Sequence, residues 1–248
     1  KDQKREELVV ATKITGPMPY FNYIRPDLGF SKEVLHDALN KSLQRLQTDY
    51  VDVYQLHWPE RNVNFFGQRN YKHKTDEKWE DNFKEVIETL DGFVKEGKIR
   101  HYGVSNETSW GVMRHLSESK DNNLTRCKTI QNAYSLLNRL FEINLAEVAM
   151  RENVGLLAYS PLGFSFLTGK HLNGIIPNSR LGLFPQFSRY SNENCIRATK
   201  LYQELAQANG LTLTQMALAF VNQQDFVTST IIGATTMEQL HCPWTTAR

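Results

Sequence analysis

Polar side chains stand at or just after the ends of short apolar runs that we predict to be β-strands. In chain order they are Lys13, His57, Ser105 with Asn106, Gln131, Ser160, and Gly233 with Thr235. Because the carboxyl ends of parallel strands meet at one edge of a sheet, these residues would bring a cation, an imidazole and several amide and hydroxyl groups into one mouth. Singly, a strand-end lysine is more often solvated and a lone histidine more often structural. The joint pattern predicts a site for a polar ligand.

Six strands separated by amphipathic helical sequence would position these side chains. The predicted strands are Leu8–Thr12, Val51–Leu56, Ile99–Val104, Thr129–Ile130, Val154–Tyr159 and Val227–Ile232. Strands that alternate with helices pair in parallel through right-handed crossovers, which leaves a doubly wound sheet or a barrel. Three connections are longer than the usual length of about 2 to 6 residues. They are Gly16–Phe30, Trp58–Asp81 and Pro161–Tyr190, and each follows the strand end that carries the active site in barrels.

Capping residues predict where several helices begin, namely after Ser31, Ser191, Thr212 and Thr236. The last two are followed three residues later by a glutamine, which is the spacing of a capping box. Segment Gly233–Gln239 thus has the pattern of a strand end, a tight turn and a helix start. The free N–H groups of such a turn can hold a phosphate.

The composition excludes several classes of protein. The chain has 248 residues and a net charge of +2, and it lacks the clustered basic run that a nucleic-acid-binding surface requires. No stretch approaches the roughly 18 apolar residues of a transmembrane helix, and the first residues lack a secretory pattern. We therefore expect a cytoplasmic protein with no membrane partner. Its three cysteines, Cys127, Cys195 and Cys242, are too few and too widely spaced for a disulfide framework or a zinc site.

Seven segments, in this order, resemble motifs of the aldo-keto reductases. They are ATK from Ala11, YVDVYQLHWP from Tyr50, GKIRHYGVSN from Gly97, TIQNAYSLLNR from Thr129, LLAYSPLG from Leu156, LTGK from Leu167 and IIGATTMEQL from Ile231. The set is similar to the Tas-like branch of that family, near the voltage-gated potassium channel β-subunits. The resemblance implies one (β/α)8 barrel domain over residues 1–248, of which this chain supplies strands three to eight. We therefore expect a barrel truncated at the N-terminus and divergent after residue 240.

The resemblance also implies catalytic residues. The family uses Asp, Tyr, Lys and His, with the tyrosine as the proton donor to the substrate carbonyl. Lys13 matches the lysine, whose charge lowers the pKa of the tyrosine, and His57 matches the histidine that orients the carbonyl. The family's Asp and Tyr match no residue here, so we expect a crippled reductase. Trp58 is a candidate for lining the pocket of a small-molecule carbonyl substrate.

NADPH is the cofactor that the resemblance implies, and no GxGxxG follows a strand to suggest a Rossmann site. Ser105, Asn106 and Gln131 match positions that bind the nicotinamide carboxamide, and Tyr159 matches the ring that stacks on the nicotinamide. The pyrophosphate loop corresponds to Ser160, Pro161, Leu162 and Gly163, and the belt that closes over it to Leu167, Gly169, Lys170 and Arg180. The 2′-phosphate contacts correspond to Gly233, Thr235 and Gln239, together with Arg180. Pro243 stands where relatives place an asparagine that contacts adenine.

Three functions remain open at this point. The first is NADPH-dependent reduction of an aldehyde or ketone. The second is a regulatory protein like the channel β-subunits, in which bound NADPH reports the redox state. The third is an inactive fragment. The resemblance leaves room for an oligomer in each case.

Overall fold

The computed structural model describes residues 3–241, in two compact units. The first unit contains residues 3–131 and 151–154, and the second contains residues 132–150 and 155–241. None of the helices in the described range is long and apolar enough to cross a membrane.

The first unit consists of parallel strands that alternate with helices. Its elements are β1 (Ala11–Ile14), α1 (Lys32–Leu46), β2 (Val51–Leu56), α2 (Phe83–Lys95), β3 (Ile99–Ser105), α3 (Ser109–Asp121) and the start of β4 (Thr129–Ala133). Each strand pairs in parallel with the next, with Lys13 opposite Gln55, and Ser105 opposite Gln131. The predicted alternation and parallel pairing are confirmed, so the carboxyl ends of these strands lie at one edge.

A layer of buried side chains between the strands and the helices stabilises this unit. Every residue of β2 is buried, and Leu35, Leu39, Ile87, Leu90 and Phe93 of α1 and α2 are fully buried. Burial of such a side chain contributes about 1.5 to 3 kcal/mol. Helix α1 begins where the sequence predicts, since the Ser31 hydroxyl accepts the N–H of Val34 at its start.

The second unit contains most of α4 (Leu145–Glu152), β5 (Gly155–Tyr159), the single turn α5 (Arg180–Leu183), α6 (Glu193–Ala208), α7 (Leu213–Asn222), β6 (Val227–Thr230) and α8 (Met237–His241). Strands β5 and β6 pair in parallel. The predicted capping box of Thr212 and Gln215 is present at the start of α7. Helix α6 is capped by Asn192, whose side chain accepts the N–H of Cys195, and not by the predicted Ser191.

Five of the six predicted strands have bounds that differ from the observed ones, β3 and β5 by a single residue. Strand β1 starts at Ala11, not Leu8, because residues Arg5–Glu7 form a 3-10 helix that leaves Leu8 and Val9 exposed. As a result Lys13 lies inside β1. Strand β6 ends at Thr230, although the N–H of Ile231 still donates to the carbonyl of Ala158 at 2.8 Å. Strand β4 is longer than predicted and reaches Ala133.

A buried carboxylate, Asp52, ties the N-terminal segment to β2 and β3. It accepts the N–H of Val10 at 2.9 Å and pairs with Arg5 at 2.9 Å and Arg100 at 3.0 Å. The two guanidinium groups also lie over the ring of Tyr50. Burial would raise the pKa of Asp52, but the Val10 hydrogen bond and the two arginines outweigh burial and hold that pKa below its ordinary value.

We predict that Asp52→Asn lowers the free energy of unfolding by about 1 to 3 kcal/mol at pH 7, the range for hydrogen bonds to charged groups. Because the pKa of Asp52 is lowered on folding, its stabilisation is present above pH of about 4 and is lost as the pH falls through the folded-state pKa. Urea unfolding at pH 7 and pH 3 should show the difference between the wild type and the variant narrowing in acid. Asp37→Asn, which removes an exposed pair with Lys41, is the control and should change little. An equal loss for Asp52→Asn at both pH values would contradict the assignment.

Candidate active site

Lys13 and His57 lie at the carboxyl ends of neighbouring strands. Lys13 is one residue from the end of β1 and stands opposite Gln55 in the parallel register. His57 follows the last residue of β2, and its N–H donates to the carbonyl of Ile14 at 3.0 Å. The backbone ladder between β1 and β2 therefore places both side chains at one edge of the first unit.

Burial and mutual repulsion change the acid–base properties of this pair. Burial, and next the positive charge of Lys13, lower the pKa of His57 to about 4. Burial also lowers the pKa of Lys13. The imidazole is thus neutral near pH 7, so that it can donate one hydrogen bond and accept another.

Asn106 connects the end of β3 to His57. Its Nδ2 donates to the carbonyl of His57 at 2.9 Å and to Ser105 Oγ at 3.1 Å. Ser105 Oγ in turn donates to the carbonyl of Gln131 at 2.7 Å, and the N–H of Asn106 donates to the same carbonyl at 3.0 Å. Asn106 has the left-handed backbone (φ 52°) that asparagine tolerates better than most residues. These bonds join four of the predicted site residues into one network.

Gln55 also belongs to this network, although the sequence analysis did not single it out. Gln131 Nε2 donates to Gln55 Oε1 at 3.1 Å, and both side chains are buried. Gln55 Nε2 finds no hydrogen-bond partner among the described residues, which makes it a donor that a polar ligand could satisfy. A signal was present in the sequence, because a glutamine inside a buried strand needs a polar partner.

Trp58 lies directly beside His57, with the ring centroids 4.7 Å apart. Its indole is only 2% exposed and donates to the carbonyl of Pro17 at 3.1 Å. Gly16 allows this packing, since an added Cβ would lie 2.6 Å from the indole. Phe66, whose ring lies 5.5 Å from that of Trp58, is more exposed. Trp58 therefore occupies the buried side of an aromatic cluster beside the imidazole.

In the second unit, Tyr159 ends β5 and is half-buried. Burial raises the pKa of its hydroxyl, and a hydrogen bond with Arg189 opposes this effect. The Arg189 guanidinium also lies 5.5 Å from the ring of Phe164. The sequence analysis missed Arg189, because it lies in a long loop where no periodicity indicates its partner.

A tight turn follows Tyr159. Ser160 and Gly163 both have left-handed backbone conformations, with φ of 55° and 51°, and the N–H of Gly163 donates to the carbonyl of Ser160 at 2.9 Å. Pro161 is buried within the turn, and Leu162 is half-buried. Ser160 is half-buried and Gly163 is buried, where an added Cβ would lie 3.1 Å from Leu137.

The predicted belt residues differ in their surroundings. Leu167 is fully buried against Leu213 and Ala217, so its side chain belongs to the core of the second unit. Gly169 has φ of 79°, and Lys170 is exposed. Arg180 is also exposed and stacks over Phe187, with 4.5 Å between the guanidinium carbon and the ring centre.

Gly233 and Thr235 are exposed on the turn before α8, and Gln239 is exposed within α8. The predicted capping arrangement is shifted by one residue. Thr236 Oγ1 accepts the N–H of Gln239 at 3.2 Å, whereas Gln239 Oε1 accepts the N–H of Thr235 at 2.8 Å. The predictions for Cys242 and Pro243 concern residues outside the described range.

We predict that the His57 ring titrates near pH 4 and that Lys13→Met raises this pKa, because the variant removes a nearby positive charge. Since burial remains, the pKa should stay below the ordinary value of about 6.5. NMR titration of the ring protons measures it, with Lys41→Met as a control on the exposed face of α1. An unchanged pKa in Lys13→Met would show that the two groups do not interact.

Comparison with known proteins identifies the family of this chain. The model of the Aldo/keto reductase family matches residues 1–242. Protein tas of Escherichia coli K12 is 49% identical over 97% of this chain and 70% of its own length. An aldo-keto reductase of Babesia bovis is 35% identical over 95% of this chain and 89% of its own. The L-glyceraldehyde 3-phosphate reductase of Escherichia coli K12 is 32% identical over 95% and 64%, respectively. With polar groups gathered at the carboxyl ends of parallel strands and a family match over nearly its whole length, this chain belongs to the aldo/keto reductase family.

Proposed function

We propose that this chain binds NADPH and reduces the carbonyl group of an aldehyde or ketone to an alcohol. Aldo/keto reductases generally use NADP(H) and act on small carbonyl compounds. The observation that carries the proposal is the pairing of Lys13 with a neutral His57 at adjacent strand ends. When bound, NADPH would supply the hydride.

His57 would bind the carbonyl oxygen of the substrate. A neutral imidazole can donate its N–H to that oxygen. The low pKa of His57 keeps the ring neutral across the physiological pH range. Lys13 places positive charge on the same side, where it would stabilise the negative charge that develops on the oxygen as the carbonyl is reduced. Trp58 and its aromatic neighbours would exclude water beside the imidazole.

The residues of each unit fit parts of NADPH. The amide of Gln131 has the donor and acceptor groups that a carboxamide needs, and Gln55 Nε2 is a buried donor with no partner among the described residues. Asn106 would contact the carboxamide through its carbonyl oxygen, because both N–H groups of Nδ2 donate to His57 and Ser105. In the second unit, Tyr159 offers an aromatic face. The turn Ser160–Gly163 offers backbone groups to a phosphate, as do exposed Gly233, Thr235 and Gln239 beside α8. Lys170 and Arg180 supply exposed positive charge in the same unit.

The first test compares two cofactors. We predict tighter binding of NADPH than of NADH in a fluorescence titration, because Arg180 and the Thr235 turn would bind the 2′-phosphate. Arg180→Ala should weaken NADPH binding by about 1.5 to 3 kcal/mol, the usual contribution of a charged hydrogen bond, and leave NADH binding almost unchanged. Arg197→Ala, which removes an exposed arginine of α6 that donates to Asn194 at 3.4 Å, is the matched control. Equal affinities for the two cofactors would contradict the proposal.

The second test concerns turnover. We predict that the chain reduces 4-nitrobenzaldehyde with NADPH. Single-turnover measurements at high protein concentration should detect hydride transfer, and Lys13→Met should slow it without unfolding the chain, because the variant removes the positive charge beside the developing oxyanion. The control Lys41→Met should not.

Equal slowing by Lys13→Met and Lys41→Met would contradict the role proposed for Lys13. NADPH binding with no detectable hydride transfer would favour the regulatory alternative. Absence of both would favour an inactive fragment.

A further inference from the structure

A buried ion pair lies close in sequence to the residues of the candidate site, and the proposed chemistry does not use this pair. Arg61 and Glu107 form a two-pronged contact, with Nη1 to Oε2 at 3.0 Å and Nη2 to Oε1 at 2.5 Å. Their side chains are 9% and 4% exposed. A pair of this kind depends strongly on geometry, because each charge has lost its water and must be satisfied by the other.

The surroundings of this pair hold it in one arrangement. The Arg61 guanidinium lies between the rings of Phe83 and Trp110, at 5.5 and 4.8 Å from their centres. Glu107 Oε1 also accepts the N–H of Thr108 at 2.6 Å, at the start of α3. An added Cβ at Gly111 would overlap both Glu107 and Arg61, so the close approach of α3 to the pair requires a glycine at that position.

The pair joins the two loops that carry the site. Arg61 lies four residues after His57, in the loop that follows β2, and Glu107 directly follows Asn106 at the end of β3. The same two loops meet a second time where Asn106 Nδ2 donates to the carbonyl of His57 at 2.9 Å. One connection is a hydrogen bond and the other a buried ion pair. Together they fix the spacing between the imidazole and the Asn106 amide.

We propose that Arg61 and Glu107 are positioning residues, which hold the Asn106 amide against His57 so that both can face the cofactor and the carbonyl. The inference rests on the proposed function, because that function supplies the ligand that Asn106 and His57 would bind. Neither side chain needs to touch a ligand. Loss of the pair should release Asn106 from the His57 carbonyl and weaken NADPH binding, while the helices of the first unit keep their packing.

Three variants of the chain test this proposal. Glu107→Gln removes one charge, Arg61→Lys keeps the charge but loses the planar fork, and Gly111→Ala keeps both charges but forces them apart. NMR exchange of the Asn106 side-chain amide with solvent, measured without cofactor, reports positioning directly. Fluorescence titration gives the NADPH affinity. We expect faster amide exchange in all three variants and an increase of about 2- to 30-fold in the NADPH Kd. A fourth variant, Arg61→Met, also loses the charge, so its amide exchange and its NADPH Kd should increase more than those of Arg61→Lys.

Asp91→Asn is the matched control for stability. Asp91 is also buried, pairs with Lys95 at 2.7 Å and accepts two bonds from Thr125, but none of these partners belongs to the site network. Asp91→Asn should lower the free energy of unfolding and leave the exchange of the Asn106 side-chain amide and the NADPH affinity unchanged. If the Arg61 and Glu107 variants only lower stability, as the control does, the pair is merely structural and the proposal is wrong. If the wild type fails to bind NADPH, the proposed function is wrong, while the exchange measurement still decides the positioning role.

Discussion

The distance between the ends of β2 and β3 is the constraint on which the candidate site depends. The backbone ladder aligns these strands only as far as Leu56 and Val104, and beyond that point side chains continue the connection. Asn106 donates to the carbonyl of His57, and Ser105 passes the connection on to Gln131. A site that must bind a carbonyl and an amide-bearing ring at once requires such bonds, because loops alone would leave its polar groups mobile.

Burial gives these groups their chemical character. The first unit has a sheet whose second strand is wholly buried, so the residues at its carboxyl end have little water around them. The lowered pKa of His57 follows from that burial and from Lys13, and it keeps the imidazole uncharged beside a cation. In the second unit, burial acts in the opposite direction on Tyr159 and raises the pKa of its hydroxyl. One physical cause therefore favours the neutral form of both rings.

Sequence periodicity was sufficient to predict the alternation of strands and helices, because buried faces repeat with the period of each element. It predicted β2 without error, since turn signals bound that apolar run on both sides. It misplaced β1, because Leu8 and Val9 look like strand residues, whereas the pairing of Asp52 with Arg5 keeps the chain before Ala11 out of the sheet. Gln55, Arg189 and the Arg61–Glu107 pair were missed because each acquires its role from a partner distant in sequence. The roles assigned by resemblance to the remaining site residues stay predictions.

The central claim is that His57 and Asn106 belong to one ligand site. An NMR titration with NADPH that follows the His57 ring and the Asn106 side-chain amide together tests it most directly. We predict that both sets of signals shift along one saturation curve, with the dissociation constant obtained from cofactor fluorescence. Saturation of the fluorescence with neither signal moved would place the cofactor elsewhere and contradict the account.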